Sequence, residues 1–249
     1  NVNNHTIFNE PGRPRFQSVE IAVNEGTTKP FVPSVITELV QNSVDAIRMS
    51  EFLPEDRKRI EVKVCQDSFI ELTIKDYVGI PDSALLSLWI PFLSSKSVGD
   101  MMSTGEMGTG FFNVYRKPYV QRVIITTNNL IIIATPIVLN RRVVDIEYQV
   151  EISKKYLEGT EIRIQMSDLS LEESIELMVN IHMFVNNTLP FIPYPVYFND
   201  NLIQSETETI YISDMIEVKR MLNVSAPSQL LTNGIPLSQL IPYLSSIFG

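Results

Sequence analysis

Cysteine is almost missing from this 249-residue chain, and Cys65 stands alone. An intrachain disulfide is therefore excluded, a reducing compartment fits, and the thiol is expected to pack within a strand. Histidine is nearly as scarce: His5 and His182 are too few and too far apart to build a metal site without other ligands, and His182 is expected on a helix face. Basic charge is short as well, with 20 Lys and Arg against 29 Asp and Glu and a net charge of -9. That balance argues against a domain whose affinity comes from nucleic-acid phosphates. Long apolar runs are lacking; the longest, Leu130 to Leu139, is interrupted by Pro136 and is too short to cross a bilayer, so no membrane association is expected. Internal repeats and low-complexity tracts are absent too. An opening Asn1 with no signal-peptide pattern after it leads to the expectation of a piece of a larger, intracellular protein.

What the chain does have is apolar content, 44% of its residues, enough for a full core. Residues 1–16 read as a polar arm with Pro11, Gly12 and Pro14, 17–204 as the main domain, and 205–249 as an extension or the start of a following domain. Val19, Ile21 and Val23 alternate as a short strand. Ile60 to Val64 and Phe69 to Lys75 alternate around Gln66-Asp67-Ser68, which predicts a hairpin with one face in the core. Gly79, Pro81 and Asp82 give turn chemistry before an apolar helix over about Ser83 to Trp89. Val120 to Thr127 and Leu130 to Pro136 read as strands joined by a turn at Asn128-Asn129. Val143 to Ile152 and Glu161 to Met166 are further strands with Gly159-Thr160 between them. Leu171 to Val185 reads as an amphipathic helix whose Glu172, Glu173 and Glu176 suit its N-terminal dipole. Pro195 to Phe198 and Leu202-Ile203 suggest a last hairpin across Asn199-Asp200-Asn201. This order predicts an α+β two-layer sandwich, a mixed and mostly antiparallel sheet covered by helices.

The stretch Pro33 to Arg48 predicts a helix starting near Pro33 or Ser34, with Ser34 as a candidate N-cap. At about 100° per residue, Glu38, Asn42 and Asp45 fall within an arc of roughly 60°. Val35, Ile36, Leu39, Val40, Val44, Ala46 and Ile47 fill much of the remaining circumference, so the polar stripe is expected to face a cavity. Further on, Gly105-Glu-Met-Gly-Thr-Gly110 runs into Phe111 and Tyr115, a candidate helix. Its spacing is neither the dinucleotide fingerprint nor a P-loop, because Phe111-Phe112 stands where Lys and Ser or Thr are required. The glycines still permit backbone N–H groups to turn toward an anion at a helix start.

Four segments taken together, Glu38-Leu-Val-Gln-Asn42-Ser-Val-Asp45, Asp76 with Gly79-Ile80-Pro81, Gly105 to Gly110, and Gly159-Thr160, occur in an order and spacing that resembles the GHKL ATPase superfamily. That superfamily includes gyrase, the ninety-kilodalton heat-shock chaperones, histidine kinases and MutL, with the related MORC ATPases. The likeness covers roughly residues 17–200 and is nearest the chaperone and topoisomerase branches, to which Phe191-Ile-Pro-Tyr-Pro195 after a long helix is also similar.

The resemblance implies a Bergerat fold, with ATP and Mg²⁺ as ligand and cofactor. It implies Asn42 as the Mg²⁺ ligand, Glu38 as the base that polarises the attacking water, and Asp45 in support beside the nucleotide. Asp76 would accept a hydrogen bond from the adenine amino group, with Gly79 in the following turn and Thr160 helping through its hydroxyl. Gly105, Gly108, Thr109 and Gly110 would form the lid over the phosphates. Lys96, after Ser94-Ser95, falls either near the phosphates or on an exposed loop. One departure stands out: the family's Asp-x-Gly-x-Gly is here Asp76-Tyr-Val-Gly-Ile-Pro81, one residue shorter and without the first glycine, which implies an altered adenine pocket. The function implied is slow ATP hydrolysis driving lid closure and homodimerisation. A nucleotide-binding scaffold without turnover is the alternative, and phosphotransfer to histidine a third reading.

Overall fold

A computed structural model describes residues 30–85, 110–203, 207–212, 217–221, 231–232 and 235–236. The expected strand at Val19 to Val23, the stretch from 86 to Trp89, and Lys96, Gly105, Gly108 and Thr109 lie outside the described residues.

Helix α1 spans Phe31–Met49 and buries Val35, Ile36, Leu39, Val40, Val44 and Ile47, the arc predicted from its periodicity. Its start differs from the expectation. Pro30 takes the cap position, and Ser34 lies inside the helix, where its hydroxyl donates back to the Pro30 carbonyl at 2.8 Å. A serine one turn into a helix meets that carbonyl before it meets a free N–H, so it cannot serve as the cap.

Strands β1 (Ile60–Gln66) and β2 (Ile70–Asp76) form the expected antiparallel hairpin, with Gln66 opposite Ile70. Strict alternation turns Ile60, Val62, Val64, Ile70, Leu72 and Ile74 inward. The same alternation places Cys65 on the outer side, exposed, rather than packed as its type predicted.

The next region corrects the sequence reading most. Strand β3 runs unbroken through Val120–Leu139 and pairs with β4, Arg142–Met166, around a two-residue turn at Asn140-Arg141 with φ of 50° and 63°. Asn128-Asn129 is not a turn. Asn128 adopts φ 53° as a bulge, where the register slips from Thr127 opposite Thr160 to Asn128 opposite Leu157. Gly159-Thr160 likewise lies within β4 rather than between two strands.

Helix α2 spans Leu171–Thr188, and its first turn is closed by a capping box. Ser170 Oγ accepts from the Glu173 amide, and the Glu173 carboxylate accepts from the Ser170 amide. Leu177, Ile181, Phe184 and Val185 face inward, and His182 sets its ring edge-on to Phe198 with centroids 4.9 Å apart. Strands β5 (Val196–Phe198) and β6 (Asn201–Leu202) close around Asn199-Asp200. The six-stranded sheet has the order β3-β4-β2-β1-β5-β6, antiparallel except for β1 beside β5. α1 packs on β2 and against α2, which gives an α+β sheet covered by helices. Further along the chain, β7 (Thr207–Ile212) pairs with β8 (Glu217–Met221), and β9 (Leu231–Thr232) with β10 (Ile235–Pro236), as two-stranded ribbons.

Candidate functional site

Asp76 ends β2 in phase with Ile70, Leu72 and Ile74, so the pleat carries a carboxylate onto the apolar face, where it is 5% exposed. A buried charge has to be hydrogen-bonded. Ser43, also buried on α1, donates to Asp76 Oδ2 at 2.7 Å, and the Val78 amide donates to Oδ1 at 2.8 Å. Burial pushes the Asp76 carboxyl up to about 6, against the Ser43 hydroxyl and the Val78 and Thr160 amides, which favour its charged form. Sequence reasoning missed Ser43. It falls inside the apolar arc of α1 among Ile36, Leu39, Val40 and Ile47, and a lone hydroxyl there signals a buried partner.

The turn after Asp76 is held by side chains from the β3–β4 hairpin. Thr160 donates to the Val78 carbonyl at 2.6 Å, the Ile80 amide donates to Thr127 Oγ1 at 2.9 Å, and Asn128 Nδ2 donates to the Ile80 carbonyl at 3.2 Å. Thr127 and Thr160 hydroxyls lie 3.2 Å apart. Two glycines make these approaches possible. A Cβ on Gly159, at φ 84°, would stand 2.0 Å from the Asp76 carbonyl oxygen, and one on Gly79 would stand 2.2 Å from Asn128 Oδ1. Thr127 and Asn128 were not foreseen as site residues, because Asn-Asn reads as a turn.

Tyr77 follows Asp76 and, by alternation, turns to the outer face. Its ring has the guanidinium carbons of Arg57 and Arg59 each 4.8 Å from its centroid and Lys75 Nζ at 5.0 Å. Its hydroxyl donates to Glu61 Oε1 at 2.6 Å and accepts from Arg59 at 2.6 Å. Partial burial alone would raise the Glu61 carboxyl, but the Tyr77 hydroxyl with Lys75 and Arg59 holds it below its ordinary value.

On α1, Glu38 and Asn42 are half-buried one turn apart, whereas Asp45 is only 3% exposed. Asp45 Oδ1 accepts from Gln41 Nε2 at 3.3 Å and lies 3.6 Å from an Arg48 nitrogen, so these contacts run along its own helix. Gly110 opens the 3₁₀ helix Gly110–Tyr115, which packs against α1 and buries Phe112, Val114 and Tyr115. The 3₁₀ helix that Gly110 opens therefore lies beside the helix that carries Glu38 and Asn42.

The structure therefore brings Asp76, Gly79 and Thr160 together, with Ser43 as the link to α1. An open groove of about 550 Å³ lies elsewhere, between the first turn of α1 and α2, lined by Phe31, Tyr119, Glu173, Leu177 and Phe184. Among the described residues, none of the predicted site residues lines it. Among the described residues no group of three or more His, Cys, Asp or Glu is placed to hold a metal, and no helix is long and apolar enough to cross a membrane. No model of a protein family matches the chain, and comparison with curated proteins likewise gives no match.

Proposed function

We propose that this chain binds Mg-ATP in a Bergerat-type site between α1 and the turn after β2, and hydrolyses it slowly as part of a larger switching protein. The observation that carries this reading is the Asp76 carboxylate, buried on the apolar face and fixed to α1 through Ser43. An ionised carboxyl has about four acceptor positions. The Ser43 hydroxyl and the Val78 amide occupy two, and the Thr160 amide also favours the charged form, which leaves acceptor capacity for a donor such as the exocyclic amino group of adenine.

The remaining roles follow the order of residues along α1. Asn42 offers a neutral oxygen to a hard cation whose charge the phosphates balance; Mg²⁺ when bound supplies charge neutralisation between them. Glu38, one turn earlier, takes a proton from the attacking water as its oxygen bonds to the terminal phosphorus. The bond from that phosphorus to the bridging oxygen breaks, and ADP leaves with the electron pair. Gly110, which opens the 3₁₀ helix beside α1, suits a lid whose closure over the triphosphate favours a dimer of two such domains.

Isothermal titration with Mg-ATP and Mg-ADP tests the first half, and no heat at millimolar nucleotide would sink it. Metal-dependent phosphate release tests the second, and binding without release would leave a nucleotide-operated scaffold.

A further inference from the structure

The turn after Asp76 is the place where the chain departs from the motif it resembles, and two residues of β3 hold that turn. The Thr160 hydroxyl spends its single hydrogen on the Val78 carbonyl. The hydrogen between Thr127 and Thr160 must then come from Thr127, whose oxygen already accepts from the Ile80 amide. The result is one directed chain, Ile80 N–H to Thr127 to Thr160 to Val78 C=O, that straps both ends of Val78-Gly79-Ile80 to the hairpin. Thr127 is fully buried and its link to Thr160 is buried with it, in a medium where a hydrogen bond is strengthened, while the two outer links are part-buried. Asn128 completes the strap. Its Nδ2 takes the Ile80 carbonyl, while its Oδ1 accepts from the Tyr156 hydroxyl at 3.4 Å and lies over Gly79 where any Cβ would sit.

We propose that Asn128, with Thr127, is a positioning residue for the base end of the nucleotide site. The Asn128 bulge fixes the short Gly79-Ile80 turn so that Asp76 and its bound amide at Val78 present one geometry to the base. This inference rests on ATP binding at Asp76. A bulge suits the task because Asn tolerates the positive φ that aims its amide back across the turn.

Asn128→Gly keeps that backbone conformation and removes only the side chain, and Thr127→Val removes the hydroxyl at nearly constant volume. In both variants of the full chain, exchange of the Ile80 amide is expected to accelerate, by roughly tenfold in Thr127→Val where its acceptor is lost. Mg-ATP affinity in Asn128→Gly is expected to fall by roughly tenfold, with the preference for ATP over GTP falling and the ratio of ATP to ADP affinity unchanged. Unchanged Ile80 exchange and ATP affinity would overturn the role. So would an equal loss for ATP and GTP, which marks general damage rather than base positioning. A wild-type chain that binds no nucleotide ends the ATP reading itself, and is told apart from failure of the strap, in which wild type and variant bind alike.

Discussion

The Ser43 hydroxyl donates to Asp76 Oδ2 at 2.7 Å, joining the middle of α1 to the end of β2 across 33 positions of sequence. Both groups are buried, so neither exchanges its partner for water. Ser43→Ala leaves the carboxylate short of one donor in an apolar setting, a loss of about 1–3 kcal/mol in unfolding free energy. Urea denaturation of the two proteins at neutral pH checks it. If Asp76 reads the base, Mg-ATP affinity falls in the same variant, since the carboxylate is no longer held from the α1 side.

Asp76 also sets a pH dependence. Its carboxyl lies at about 6 in the fold against 3.8 for the ordinary group, so between those values the folded chain holds a proton that the unfolded chain has released. The contribution of the protonated acid is fully present below the unfolded value and is lost as pH rises through the folded one, amounting to about 3 kcal/mol. Asp76→Asn removes this dependence. The difference in unfolding free energy between wild type and variant, measured from about pH 4 to pH 8, should therefore move in the variant's favour with rising pH. A flat difference would mean that the carboxyl titrates at its ordinary value. Nucleotide affinity should run the other way, weakening as Asp76 takes up its proton, because a neutral carboxyl loses acceptor capacity.

The elements built on strong periodicity were legible in the sequence. The apolar arc of α1, the alternation of β1 and β2, and the repeat of α2 each recur often enough that packing fixes the element. What was not legible is the difference between a bulge and a turn. Asn128 and Asn140 are the same residue type, and both take a positive φ within a few residues of apolar strand segments. Only pairing with β4 decides that the first continues the strand and the second ends it, and Arg141 in the true turn carries no turn signal at all. Asp76, Gly79 and Thr160 were named through the motifs that the chain resembles, whereas Thr127 and Asn128, which hold the turn they share, belong to none of those motifs and are placed only by the pairing with β4.

Gly159 and Gly79 separate two kinds of glycine requirement. At Gly159 the φ of 84° and the approach to the Asp76 and Tyr77 backbone leave no room that a side chain can yield. Gly159→Ala is expected to lose about 3 kcal/mol or more and to disturb the Asp76 turn. At Gly79 the obstacle is the end of the Asn128 side chain, which swings away at smaller loss. Thermal unfolding of the two alanine variants should rank Gly159→Ala well below Gly79→Ala. Adding Asn128→Gly should recover part of the Gly79→Ala loss and none of the Gly159→Ala loss.

Glu38 and Asn42 give the sharpest division between binding and chemistry. Both are half-buried on α1, one turn apart, and neither belongs to the apolar core cluster. A base acts on the water and not on the ground-state nucleotide; Glu38→Ala should bind Mg-ATP nearly as tightly as wild type while phosphate release falls by about 10²–10⁴-fold. Asn42→Ala removes an oxygen that serves the metal, so its affinity should weaken for Mg-ATP and much less for ATP measured in chelator. Titration with and without Mg²⁺, beside a phosphate-release assay, resolves the two patterns. Equal turnover in wild type and Glu38→Ala would remove Glu38 from the base role, and an Asn42→Ala defect independent of metal would reduce Asn42 to a shape-holding residue of the helix.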